Sequence, residues 1–257
     1  MSIDFHTQKL LAAFLLRLGD DRLVLGHRLS EWCGHAPVLE EDIALTNIAL
    51  DEIGQASAFL HLAGEVEGGG RSADDLAYFR EATQFTNVQL VEQPNRDFAS
   101  TMARQFLFDA HSYFLLEILQ KSAHERLAGI AAKGFKEARY HLRHSKEWML
   151  RLGDGTAESH RRLQSALDDL WPFTRELFAF DETERALTDL GIIPELENIE
   201  KKWNELVLSV LAAATLAVPA NSGHVASGSR TGRHSEYLGH MLAEMQILAR
   251  SFPGVKW

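Results

Sequence analysis

Proline placement constrains this chain most. Its 257 residues contain only six prolines, and these fall between long segments of helical periodicity. Proline removes an amide donor and clashes with the preceding turn, so long stretches that exclude it favour helix. The first stretch spans about residues 7–32, with a bend expected at Gly19-Asp20-Asp21; the second follows Pro37 and spans 38–66, stopped by Gly68-Gly69-Gly70. Two more cover 98–121 and 124–152, and shorter accessory helices are expected within 159–249, near 159–178, 194–217 and 234–249. No alternating, strand-like run and no short repeat interrupts the pattern. The expected class is all-α: a four-helix bundle with additional C-terminal helices, forming a single domain over residues 1–257.

The composition narrows the function. A net charge of −10 disfavours nucleic acid as a partner, because phosphate binding needs a basic face. Cys33 is the only cysteine, which excludes an intrachain disulfide and a multi-cysteine metal site and fits a reducing, cytoplasmic setting. Asp4 comes early, and no basic segment leads into a cleavable apolar one, so no secretory leader is expected. The longest nearly apolar run, Leu206 to Val218, is too short for a membrane span. The glycine triplet follows a helix and lacks a Lys-Ser/Thr sequel, which argues against a phosphate loop. The Gly- and Ser-rich stretch 221–232, with Arg230 and Arg233 in or beside it, reads as a mobile loop. Its two arginines are a weak hint of a CoA-ester site, since basic loop residues are more often simply solvated.

Polar groups interrupt the apolar faces of all four long segments. Asp109 shares a face with Phe106, Tyr113 and Leu116; His141 lies beside Ala138 and Leu142. Asp51, Glu52 and Gln55 break the second segment near its middle, and Glu31 lies one turn beyond His27. Buried carboxylates are costly unless they are paired, hydrogen-bonded or bound to metal. Such residues on four helices form the pattern of a di-iron carboxylate bundle, in which two helices give one Glu each and two give Glu-x-x-His. Carboxylates with imidazole suit iron, and i, i+3 spacing puts each pair on one face.

Here the pattern is damaged. Gln55 stands where Glu52-x-x-His would need histidine, and Ala138 where His141 would need a glutamate partner. The expectation is a remnant of a di-iron site at Glu31, Glu52, Gln55, Asp109, Ala138 and His141, with no metal, cofactor or catalytic residue in this chain. Mutual repulsion among the retained acids calls for a proton or a cation, supplied by His141 itself, Arg28 or Lys136. An active di-iron oxygenase or oxidase and an iron-handling ferritin-like protein remain the alternatives.

Several words in the sequence resemble the C subunit of the phenylacetyl-CoA epoxidase family of multicomponent bacterial monooxygenases. They are Leu29 to Pro37, Val91 to Asn95, Lys136 to Arg143 and Leu238 to Gln246, together with the turn Leu18-Gly19-Asp20. The resemblance implies a ferritin-like fold, a cytoplasmic location and a complex with a homologous catalytic A subunit and the other epoxidase components. It also implies that the di-iron centre resides in that partner. The sister subunit's Asp-Glu-x-Gly-His corresponds to Asp51–Gln55 here, and its Lys-Glu-Glu-x-x-His to Lys136–His141, so both lost ligands fall where the residues themselves show damage. A separate flavin and iron–sulfur reductase would supply electrons. Expressed alone, the chain would cover its apolar face by forming a homodimer. Neither nucleic acid nor membrane is an expected partner.

Overall fold

The computed structural model describes residues 4–220 and 226–255. Four long helices dominate: α1 (Phe5–Ser30), α2 (Leu39–Glu67), and, after a connection containing the short helices α3 (Ala73–Tyr78) and α4 (Gln89–Glu92), α5 (Phe98–Leu119) and α6 (Glu125–Gly153). Then come α7 (Ala157–Leu170), a 3-10 stretch over Trp171–Phe178, α8 (Glu182–Asp189), α9 (Asn198–Ala213) and α10 (Glu236–Ser251). No strand occurs among the described residues. The all-α, ferritin-like class expected from the sequence is the one observed.

Local chemistry places the helix ends. Asp4 caps α1 by accepting from the amides of His6 and Thr7, and Asp97 caps α5 through Ser100. Gly68, at φ 73°, ends α2 in the left-handed conformation glycine tolerates best. α1 packs along α2, α5 along α6, and α2 crosses to α6 to close the bundle; α7 and α9 lie on α5, α8 on α1 and α10 on α3. Gly26 lets α1 approach α2 closely, since a Cβ there would lie 3.2 Å from the Ala49 carbonyl and 2.8 Å from Ile53 Cγ1. One apolar cluster joins residues of all four long helices, such as Leu15, Phe59, Phe106 and Ala138, to Leu167, Trp203 and Leu238 of the later ones.

Three details differ from the sequence reading. α1 runs without interruption through Gly19-Asp20-Asp21, because all three side-chain positions have packing or bonding partners off the helix. The stretch 159–178 is not one helix: α7 stops at Leu170 and Pro172, lacking an amide donor, falls in the 3-10 stretch. α8, capped by Asp181, was not foreseen.

Buried charges on one turn of α1 stitch the α2–α5 connection and the C-terminal region to the bundle. Asp20, fully buried, pairs with Arg80 and accepts from the amide and hydroxyl of Thr86, both at 2.9 Å. Asp21 accepts from the Val88 amide at 2.8 Å and from both terminal nitrogens of Arg230 at 2.9 Å. Arg230 is therefore committed to a buried acid and is not free for a ligand. Residues 221–225 of the expected mobile loop lie outside the described residues; Ser229–Thr231 form a 3-10 turn. Glu92, also fully buried, accepts from Asn87, His234 and Ser235. His234 is drawn toward its charged form by Glu92 against the opposing effect of burial.

A buried carboxylate–histidine cluster between α2, α5 and α6

Glu52 of α2, Asp109 of α5 and His141 of α6 meet at mid-bundle. All three are buried, and each offers a ligand-type atom within 4.8 Å of the other two. Each residue lies on the inward stripe of its helix, beside Ile48, Ala49 and Ala56 on α2, Phe106 on α5 and Ala138 and Leu142 on α6, and that stripe carries it into the core. His141 Nδ1 lies 3.3 Å from Glu52 Oε1, and its Nε2 lies 3.0 Å from Oδ2 of Asp51, whose side chain is 40% exposed. The ring thus bridges the buried cluster and the α2 surface. Asp109 accepts from Gln105 Nε2 and Ser145 Oγ, each at 2.7 Å. Glu52 Oε2 is buried and has no hydrogen-bond partner among the described residues.

The protonation pattern follows. Burial opposes charge on His141, but hydrogen bonds to Asp51 and Glu52 and the charges of Glu52 and Asp109 outweigh it, raising its pKa to about 10. Burial dominates at Asp109 and pushes its carboxyl up to about 7, despite His141 and the Ser145 hydroxyl. At neutral pH His141 is therefore held toward its charged form, and Asp109 lies well above the usual carboxylate range.

Gln55 is turned away from these three. Its Oε1 accepts from Arg22 Nε at 2.8 Å and its Nε2 donates to Glu137 at 2.8 Å. Gly134 makes room for it, because a Cβ there would sit 2.9 Å from Gln55 Oε1. Arg22, almost fully buried, also donates to Ser112 and to the Leu18 carbonyl. Burial lowers its pKa, while Glu52 and Asp21 favour its charge. Ala138 is buried beside the cluster and contributes no ligand atom.

Glu31 does not join this group. It caps the C-terminus of α1, pairs with Arg28 at 2.6 Å, accepts from Asn95 at 2.9 Å, and is 43% exposed. The expected convergence of six positions therefore holds for Glu52, Asp109 and His141, with Gln55 and Ala138 adjacent, and fails for Glu31. Arg28 and Asn95 hold Glu31 at the end of α1, away from the cluster. Of the cations considered, His141 serves, Arg28 is taken by Glu31 and the backbone, and Lys136 is exposed. Arg22 was missed. Its signal was present: it shares an apolar face with Leu18, Leu25 and Leu29, all buried.

The donor set does not fit a two-metal carboxylate centre. Three of six ligand positions bring suitable atoms together, Gln55 is bonded to Arg22 and Glu137 instead, and α1 brings a guanidinium to this level. The chain belongs to the phenylacetic acid catabolic protein family, whose profile matches residues 3–257. Among individual relatives, the C subunit of the 1,2-phenylacetyl-CoA epoxidase of Escherichia coli (strain K12) is 49% identical over 247 residues, spanning 96% of this chain and 99% of that protein.

Proposed function

We propose that this chain is the non-catalytic partner subunit of a phenylacetyl-CoA 1,2-epoxidase in aerobic phenylacetate degradation, holding a homologous di-iron subunit in its working arrangement. The observation that carries the reading is the ligand set itself. Ala138 offers no donor, Gln55 is engaged by Arg22 and Glu137, and the Arg22 guanidinium supplies positive charge from the side where the bundle pattern would place a carboxylate. The cluster replaces metal charge with protein charge, so the acids can stay in the core without iron. Near-complete coverage of an epoxidase C subunit supports the epoxidase assignment over an iron-storage role.

On this reading the chain takes part in a cytoplasmic, multisubunit assembly and carries no metal of its own. No described helix is long and apolar enough to cross a membrane. The test is co-purification with the products of its neighbouring genes, followed by iron analysis of each separated subunit. Iron should follow the homologous partner. Two tightly held irons in this chain would overturn the proposal and favour an active di-iron oxygenase.

A further inference from the structure

We infer that the outer face of α6 is the docking surface for a carboxylate-rich face of another protein subunit. Lys136, Arg139, Arg143 and Lys146 are all exposed and follow one another at intervals of three, four and three residues. That spacing keeps them on one side of the helix, in a line that rises about 15 Å. Lys136, Arg139 and Lys146 have no side-chain hydrogen bond or ion pair among the described residues, and Arg143 only covers the Tyr140 ring at 5.5 Å.

An exposed helix face usually interlaces its charges, so that an acid three or four residues away answers each base. Elsewhere this chain does so: Glu158 answers Arg161 and Arg162 on α7, and Glu67 answers Arg71 at the end of α2. On α6 the corresponding neighbours are themselves cations. Lys136 stands three residues from Arg139, Arg139 four from Arg143, and Arg143 three from Lys146. Such like-charge pairs weaken a helix instead of supporting it. Glu147, the nearest acid on this face, lies toward Arg151 at 3.8 Å, and Glu137 is bonded to Gln55. A chain of net charge −10 has no shortage of carboxylates, yet none is placed to neutralise this line.

The chemistry of the line selects its occupant. The cations stand on the convex outer side of one helix, whereas small anions and cofactors are held in concave sites, which leaves a macromolecular surface. An extended polyanion, such as nucleic acid or an anionic membrane, would meet the strong negative charge of the remaining molecule. A protein face rich in Asp and Glu matches a line this short and leaves the acidic remainder of the chain outside the contact. Tyr140, 43% exposed beside the cations, adds an aromatic–arginine pair of the kind that carries binding energy at protein interfaces.

The inference rests on the multisubunit reading above and adds which surface recruits a partner. The full chain is immobilised and titrated with each purified product of its neighbouring genes at about 50 and about 300 mM salt. Lys136→Glu/Arg139→Glu/Arg143→Glu reverses the line, and the corresponding triple glutamine variant neutralises it. Lys121→Glu/Arg175→Glu/Lys201→Glu makes the same change in net charge at exposed positions elsewhere. The wild type should bind at least one component, more weakly at high salt. The reversal should weaken that binding about tenfold or more, and the glutamine variant about threefold with a flatter salt response, while the control stays near wild type. Should the reversed chain fail to fold, the glutamine variant decides alone. Wild-type binding in both line variants, or an equal loss in the control, overturns the docking face and leaves the multisubunit reading standing. A wild type that binds none of the components overturns both.

Discussion

Removing the His141 ring is the most direct way to expose the cost of keeping these acids in the core. In His141→Ala, Glu52 loses the partner of Oε1 while Oε2 already has none. Breaking a buried ion pair from one side costs about 3–5 kcal/mol. Glu52 has an escape, because it can take up a proton. From an ordinary glutamate pKa, protonation at pH 7 costs roughly 3.7 kcal/mol, which sets a ceiling on the electrostatic loss. At pH 5 the same escape costs only about 1 kcal/mol. The variant should therefore lose about 3–4 kcal/mol at pH 7 and much less at pH 5, and Glu52→Gln in the same chain should recover most of the loss. For a chain this long, the neutral-pH loss corresponds to a melting temperature lower by roughly 6–16 °C. Denaturant titrations at the two pH values provide the assay, with turnover measured per intact complex. A loss below about 1 kcal/mol at pH 7, or one independent of pH, would refute the buried-pair reasoning. A hundredfold fall in turnover with assembly and iron intact would make His141 a participant in the chemistry.

Two further outcomes follow from the same cluster. His141 has a folded-state pKa raised to about 10, so its contribution is fully present below its unfolded value near 6.5 and is lost as pH rises through 10. Asp109, raised to about 7 by burial, binds its proton more tightly when folded, so stability also falls as pH climbs from about 4 to 7. Melting temperature at constant ionic strength should thus decline above neutrality, and His141→Gln should flatten that decline; an unchanged slope in the variant counts against the assignment. Restoring the two missing ligands with Gln55→His and Ala138→Glu should still give fewer than two irons per chain while Arg22 remains, as metal analysis after anaerobic iron loading will show. Full two-iron occupancy in that double variant would mean that the guanidinium is no obstacle.

The four long helices were legible because each spans several turns of unbroken periodicity, long enough for the 3.6-residue repeat to average out local exceptions. Asp109 and His141 were legible for a related reason: a polar residue inside an otherwise apolar stripe has nowhere else to point. Glu31 was misplaced because its partners Arg28 and Asn95 hold it at the end of α1, and terminal turns are the least determined part of a periodic pattern. Arg22 was overlooked because Gly19-Asp20-Asp21 resembles a break, whereas the partners that keep these acids helical lie far along the chain. The capping pair of α8, Asp181 and Glu184, was readable in principle, but eight residues give too little periodicity to support it.

The turn of α1 that carries Asp20 and Asp21 also sets an order on how the molecule can be completed during synthesis. Asp21 leaves the ribosome 209 residues ahead of its guanidinium partner Arg230. Until Arg230 has emerged, this acid must remain hydrated or borrow another contact, so α1 cannot settle into its final environment while the intervening chain is being made. Long sequence separation of this kind slows folding and prolongs the life of partly assembled states. The segment that carries Arg230 acts as a late latch, and a chain released without it would leave Asp21 without its guanidinium partner.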